Sequence, residues 1–80
     1  MQSPTTPPPK EIPEERAIFA RKFKAAREAA GLSQREIHRR TGLAQSYISG
    51  VERCTENISL DTMARLATLV GLPLHELLTP

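Results

Sequence analysis

The sequence contains no tryptophan, one tyrosine, two phenylalanines and one cysteine in 80 residues. With aromatics at 4%, the core falls to aliphatic side chains, which argues against a β-barrel and for packed helices. A lone thiol, Cys54, excludes an internal disulfide and fits a reducing cytoplasm. Met1 to Pro13 has no apolar run, so it is neither a signal peptide nor a membrane span, and no membrane partner is expected. A nucleophile, a base and an orienting group do not occur together, and no phosphate loop is present, so an enzyme is not expected and no cofactor is implied. His38 and His75 are the only histidines, too sparse with Cys54 to predict a metal site. Eighty residues leave room for one small core and no second one.

The formal net charge of +2 hides an uneven distribution. Residues 1 to 15 and 54 to 80 each carry −2, whereas residues 16 to 53 hold nine basic and three acidic side chains, a local +6. Such a block suits a polyanion, although a solvated helix face has the same composition. The five prolines before residue 14 read as a disordered, partly polyproline II leader over 1–13, and the rest as one domain over 14–80.

Five short helices are predicted. Phe19, Phe23, Ala26 and Ala30 recur at helical spacing over about 14 to 30, with Gly31 placed to end the run. Ser33 opens a capping box with Glu36 for a helix over 34 to 41, which Gly42 ends. Ala44, Ile48 and Val51 form an apolar stripe on a third helix over 44 to 53, bordered by Tyr47. Ser59 caps a fourth helix whose Leu60, Met63, Leu66, Ala67 and Val70 face a core before Gly71 stops it. Pro73 in the first turn starts a fifth helix with Leu74, Leu77 and Leu78.

The informative segment is 34–53, two short helices joined by a turn of about three residues that begins at Gly42, which is the spacing of a helix-turn-helix. Ile37 is set to pack against Ile48 and Val51, turning Gln45, Ser46, Ser49, Gly50 and Arg53 to solvent. Small hydrogen-bonding groups on a helix slim enough for a groove about 12 Å wide meet the requirements for reading base edges. Gln pairs with adenine, Ser serves either base type, and a glycine allows close backbone approach. Arg53 at the helix end is placed for phosphate.

Leu32-Ser33-Gln34-Arg35-Glu36-Ile37, Thr41-Gly42-Leu43 and Ser46-Tyr47-Ile48-Ser49-Gly50-Val51-Glu52-Arg53 closely resemble the Cro/repressor-type, or XRE, helix-turn-helix family. Asn57 to Ala67 and Gly71 to Leu78 are similar to its fourth and fifth helices. The Tyr47 to Arg53 run is similar to the small controller proteins of restriction-modification systems, and related phage repressors and antitoxins share such strings. The resemblance implies an all-α, lambda-repressor-like domain that binds double-stranded DNA and regulates transcription. It implies base contacts from Gln45, Ser46, Ser49 and Gly50, and backbone contacts from Gln34, Arg35, Tyr47, Arg53, Thr55 and Asn57. Packing the Tyr47 ring at the helix border is the other reading of that side chain. Arg27 and Glu52 fall where the family has a structural ion pair.

Four positions depart from the family pattern. His38 stands in place of the usual Ala, so its imidazole must tilt aside or widen the helix pair. Cys54 replaces the usual Gly after the third helix, where backbone strain is expected, and a redox role is the alternative for this thiol. Glu56 and Asp61 put negative charge where basic loop residues are common. A lone domain of this size is expected to act as a homodimer on a palindromic operator, through Leu69, Leu74, Leu77 and Leu78 of the C-terminal helices. An antitoxin or protein-interaction module retaining the fold is the alternative function, and it would tolerate acidic or large apolar residues on the third helix.

Overall fold

A computed structural model describes residues 12–80. The expected leader over 1–13 lies outside the described residues except for Ile12 and Pro13, which precede the first helix. Five helices follow: α1 Glu14–Ala29, α2 Gln34–Thr41, α3 Gln45–Glu52, α4 Leu60–Leu69 and α5 Leu74–Leu78. The all-α, five-helix reading matches this architecture.

Helix α1 is the platform. Glu14 and Glu15 occupy its first turn and Arg27 its last, the arrangement that complements the helix dipole. One turn apart, Phe19 and Phe23 stack with ring centroids 5.7 Å apart and planes 3° from parallel, both fully buried. Ile18 and Ala20 join them in the interior, whereas Ala30, expected on the core stripe, is exposed just past the helix end.

The two serine caps form as anticipated: Ser33 Oγ accepts from the Glu36 amide at 3.0 Å and Ser59 Oγ from the Thr62 amide at 3.1 Å. The reciprocal arm of the predicted capping box does not form, because Arg39 and Arg40 draw the Glu36 carboxylate down the helix. At the end of α2, Gly42 adopts φ 78°, a left-handed conformation that reverses the chain into α3.

One core joins all five helices, built from Phe19, Phe23, Ile37, Ile48, Val51, Ile58, Leu66, Ala67 and Leu77. Ile37 meets Ile48 and Val51 there as expected, which sets α3 against α2. Two expectations about leucines are corrected. Leu60 is 65% exposed, because at the first position of α4 its side chain points away from the cluster. Leu77, predicted for a dimer surface, is 1% exposed, because α5 closes on α1 and α4 and spends that side chain inside the protomer. Pro73 is the N-cap of α5 rather than part of its first turn. No described helix is long and apolar enough to cross a membrane.

Candidate nucleic-acid interface

Helix α3 is fixed at both ends. At its carboxyl end the buried Glu52 carboxylate accepts from Arg27 Nε at 2.6 Å and Nη2 at 3.0 Å, and from Gln34 Nε2 at 3.0 Å. Arg27 Nη1 also donates to the Leu32 carbonyl at 2.7 Å. The hydrogen bond to Glu52 is the main cause raising the Arg27 pKa above its ordinary value, against the opposing effect of burial. The family-implied ion pair of Arg27 and Glu52 is thus present, with Gln34 as a third member. Bound to Glu52, the Gln34 side chain is not free for the phosphate contact assigned to it. Only its backbone amide, at the first position of α2, keeps the orientation that contact needs.

At the amino end the turn is closed by two side chains. Thr41 Oγ1 donates to the Ile37 carbonyl at 2.8 Å and accepts from the Leu43 amide at 3.0 Å. His38 tilts outward, and its Nδ1 lies 2.7 Å from the Leu43 carbonyl. The imidazole therefore clamps the turn instead of wedging α2 from α3, and Ile37 packs normally behind it.

Gln45 and Ser46 are exposed on the outward side of α3. Ser49, one turn on, is half-buried and its hydroxyl accepts a hydrogen bond from Arg53, which draws that guanidinium along the helix. Gly50 departs from the expectation. It is buried, and a Cβ added to it would collide with Cγ of Glu56 and lie 3.2 Å from Thr55 Oγ1. The close approach permitted by the missing side chain is thus occupied by the following loop of the same chain.

That loop is tied to the helix end. Thr55 donates to the Gly50 carbonyl through its amide at 2.8 Å and its hydroxyl at 3.2 Å, and the Cys54 amide donates to the Val51 carbonyl at 3.1 Å. These bonds form a Schellman motif whose left-handed residue is Cys54 at φ 61°. Cys54 therefore keeps the conformation glycine would take, and the anticipated strain is located in its backbone. Arg16 reaches the Cys54 carbonyl from α1 at 3.3 Å.

Tyr47 is half-buried and donates to the Asn57 carbonyl at 3.2 Å. Burial, aided by the negative charge of Glu56, raises its phenol pKa. Its ring packs against the core, the packing reading of this residue, and its hydroxyl braces the loop. Arg35, Thr55 and Asn57 are exposed. The structure brings Gln45, Ser46, Ser49, Arg53, Thr55 and Asn57 onto α3 and its loop, whereas Arg35 is on α2. Glu56, expected only as a negative charge in the loop, also lies against Gly50 and covers the last turn of α3, which pattern reading did not find.

A slender exposed helix held at a fixed pose by its predecessor defines a helix-turn-helix protein. Residues 18–79 match the helix-turn-helix domain family, and the chain belongs to it, the class of DNA-binding transcription regulators. A hypothetical transcription factor of Neisseria meningitidis is 37% identical over 75 residues, or 90% of this chain and 71% of that one. The crystal structure of the restriction-modification controller protein C.AhdI from Aeromonas hydrophila is 35% identical with a TM-score of 0.72, over 81% of this chain and 98% of that one. Control protein C.SmaI of Serratia marcescens is 34% identical over 62 residues, 78% of this chain and 74% of that one.

Proposed function

We propose that this regulator inserts α3 into the DNA major groove and reads base edges with Gln45 and Ser46, while Ser49 orients Arg53. Arg35, Tyr47, Arg53, Thr55, Asn57 and the Gln34 backbone amide then hold the flanking sugar-phosphate backbone. The observation carrying this reading is that the two exposed side chains at the start of α3 are small, polar and uncharged, on a helix whose pose Arg27, Glu52 and Gln34 fix.

The protein acts as a homodimer on a palindromic operator, two α3 helices about 34 Å apart along one turn of DNA. With Leu77 in the core, Leu69, Leu74 and Leu78 remain for the dimer surface, all of them partly exposed. It works in the cytoplasm as a binding protein without catalytic activity. The likeness to two restriction-modification control proteins supports the same kind of role, in which an adjacent methyltransferase and endonuclease would be the regulated genes.

The experiment is selection of bound duplexes from a random pool with wild type and the Gln45→Ala, Ser46→Ala double variant. Wild type yields a palindromic consensus; the variant loses selectivity and keeps its helical circular dichroism. Unchanged selectivity would remove Gln45 and Ser46 from direct readout. Sedimentation of Leu78→Asp beside wild type reads the dimer surface. The alternative, a protein-interaction module, rests on one observation, the acidic Glu56 over α3, and a chain that selects no DNA sequence would support it.

A further inference from the structure

Gly50 lies on the outward half of α3 and is nonetheless buried. At about 100° per residue it stands about 40° around the helix from Ser46, about 60° from Arg53 and about 160° from the core residue Ile48. Solvent or a ligand, not the core, belongs on that side. What covers it is Glu56, with Cγ where a side chain on residue 50 would begin, and Thr55 beside it. The two amide bonds of the Schellman turn and the Thr55 hydroxyl hold this loop to the last turn of α3. From there the Glu56 side chain is exposed at the last turn of α3, one turn on from Ser46 and close enough to Tyr47 to influence its phenol, and its carboxylate has no hydrogen bond or ion pair among the described residues.

We infer that Glu56 is a specificity-determining residue, occupying the base-facing position that Gly50 vacates and accepting a hydrogen bond from the exocyclic amino group of a cytosine in the major groove. The inference rests on the insertion of α3 proposed above. An ionised carboxylate only accepts hydrogen bonds. Guanine presents two acceptors in the major groove, and thymine presents an acceptor and a methyl group, so both repel it or leave it unpaired. Adenine offers an amino donor beside the N7 acceptor, which opposes the second carboxylate oxygen. Cytosine presents the N4 amino group without that neighbour, the pairing that suits Glu. The carboxylate also repels phosphate, so Glu56 weakens binding to every sequence and restores it most where cytosine is present.

The test uses the full chain as wild type, Glu56→Ala, Glu56→Gln and Gly50→Ala. Gly50→Ala pushes Glu56 off the helix at its Cγ, close to the backbone, and crowds the Thr55 hydroxyl. Each protein selects duplexes from a random pool, and affinities are then measured on the wild-type consensus with single base-pair changes. Wild type is expected to favour cytosine at one position per half-site by about 5- to 100-fold. Glu56→Ala and Gly50→Ala flatten that position alone, and Glu56→Gln moves the preference toward adenine. A wild-type consensus that survives unchanged in the Glu56 variants, with affinity raised evenly for all sequences, overturns the inference and leaves the insertion of α3 standing. A wild type that selects no sequence overturns both.

Discussion

Arg27 and Glu52 join α1 to the end of α3 through two hydrogen bonds, 2.6 Å and 3.0 Å long, with side chains only 9% and 3% exposed. Desolvating both ions costs several kcal/mol, offset by the paired geometry and the added bonds to Leu32 and Gln34. Removing one partner leaves a buried charge alone. Glu52→Ala is expected to cost about 3–5 kcal/mol, whereas Arg27→Met with Glu52→Leu is expected to lie nearer wild type than either single change. Denaturant melts of the four proteins check the cycle. A Glu52→Ala loss below about 1 kcal/mol would show the pair to be weakly desolvated.

The left-handed residue in the turn after α3 is Cys54, whereas the equivalent turns after α1 and α4 use Gly31 and Gly71. A side chain in this conformation costs about 1–2 kcal/mol. Cys54→Gly is therefore expected to raise stability by about 1 kcal/mol, or about 4–8 °C in Tm for a domain of this size. Thermal unfolding under reducing conditions measures it. A lower Tm would mean that the partly buried thiol contributes more packing than its backbone costs.

Glu36 is held between Arg39 and Arg40, whose hydrogen bonds lower its pKa to about 2. The unfolded carboxyl titrates near 4.3, so this stabilisation is fully present above about pH 4.3 and is lost as pH falls through the folded value of about 2. The site is exposed and screened, so the effect is small and fades with salt. NMR titration of the Glu36 carboxyl in wild type and in Arg39→Gln, Arg40→Gln reads it directly. The double variant is expected to return Glu36 to the ordinary carboxylate range.

Which residues were legible in the sequence follows from the range of the forces acting on them. Ser33, Ser59, Gly42 and the Phe19–Phe23 spacing act within one or two turns, so pattern alone locates α1 to α4 to within a residue or two. Gln34, Gly50 and Leu77 have their roles set by distant partners: Glu52 across 18 residues, the loop after α3, and the surfaces of α1 and α4. Periodicity marks an apolar or polar face without saying what will meet it. Leucines of a five-residue helix fit core and surface patterns equally well, and only the packing of α5 separates Leu77 from Leu74 and Leu78. The loop of Thr55 to Asn57 has no period at all, which is why the covering of α3 by Glu56 was invisible.

Arg39 and Arg40 share one carboxylate, so much of their charge is already compensated, whereas Arg35 is exposed with no ion-pair partner among the described residues. Each phosphate contact steepens the dependence of log affinity on log salt by about 0.9. Arg35→Ala is expected to flatten the slope by about that amount on every DNA sequence, while Arg39→Ala changes it less. Glu36→Gln releases both paired guanidiniums and is expected to steepen the slope and strengthen binding evenly, without altering base preference. Fluorescence anisotropy titrations at several salt concentrations, on consensus and unrelated duplexes, measure all three. Equal flattening by Arg35→Ala and Arg39→Ala would mean that DNA competes Arg39 away from Glu36, and no change from either would place α2 off the backbone.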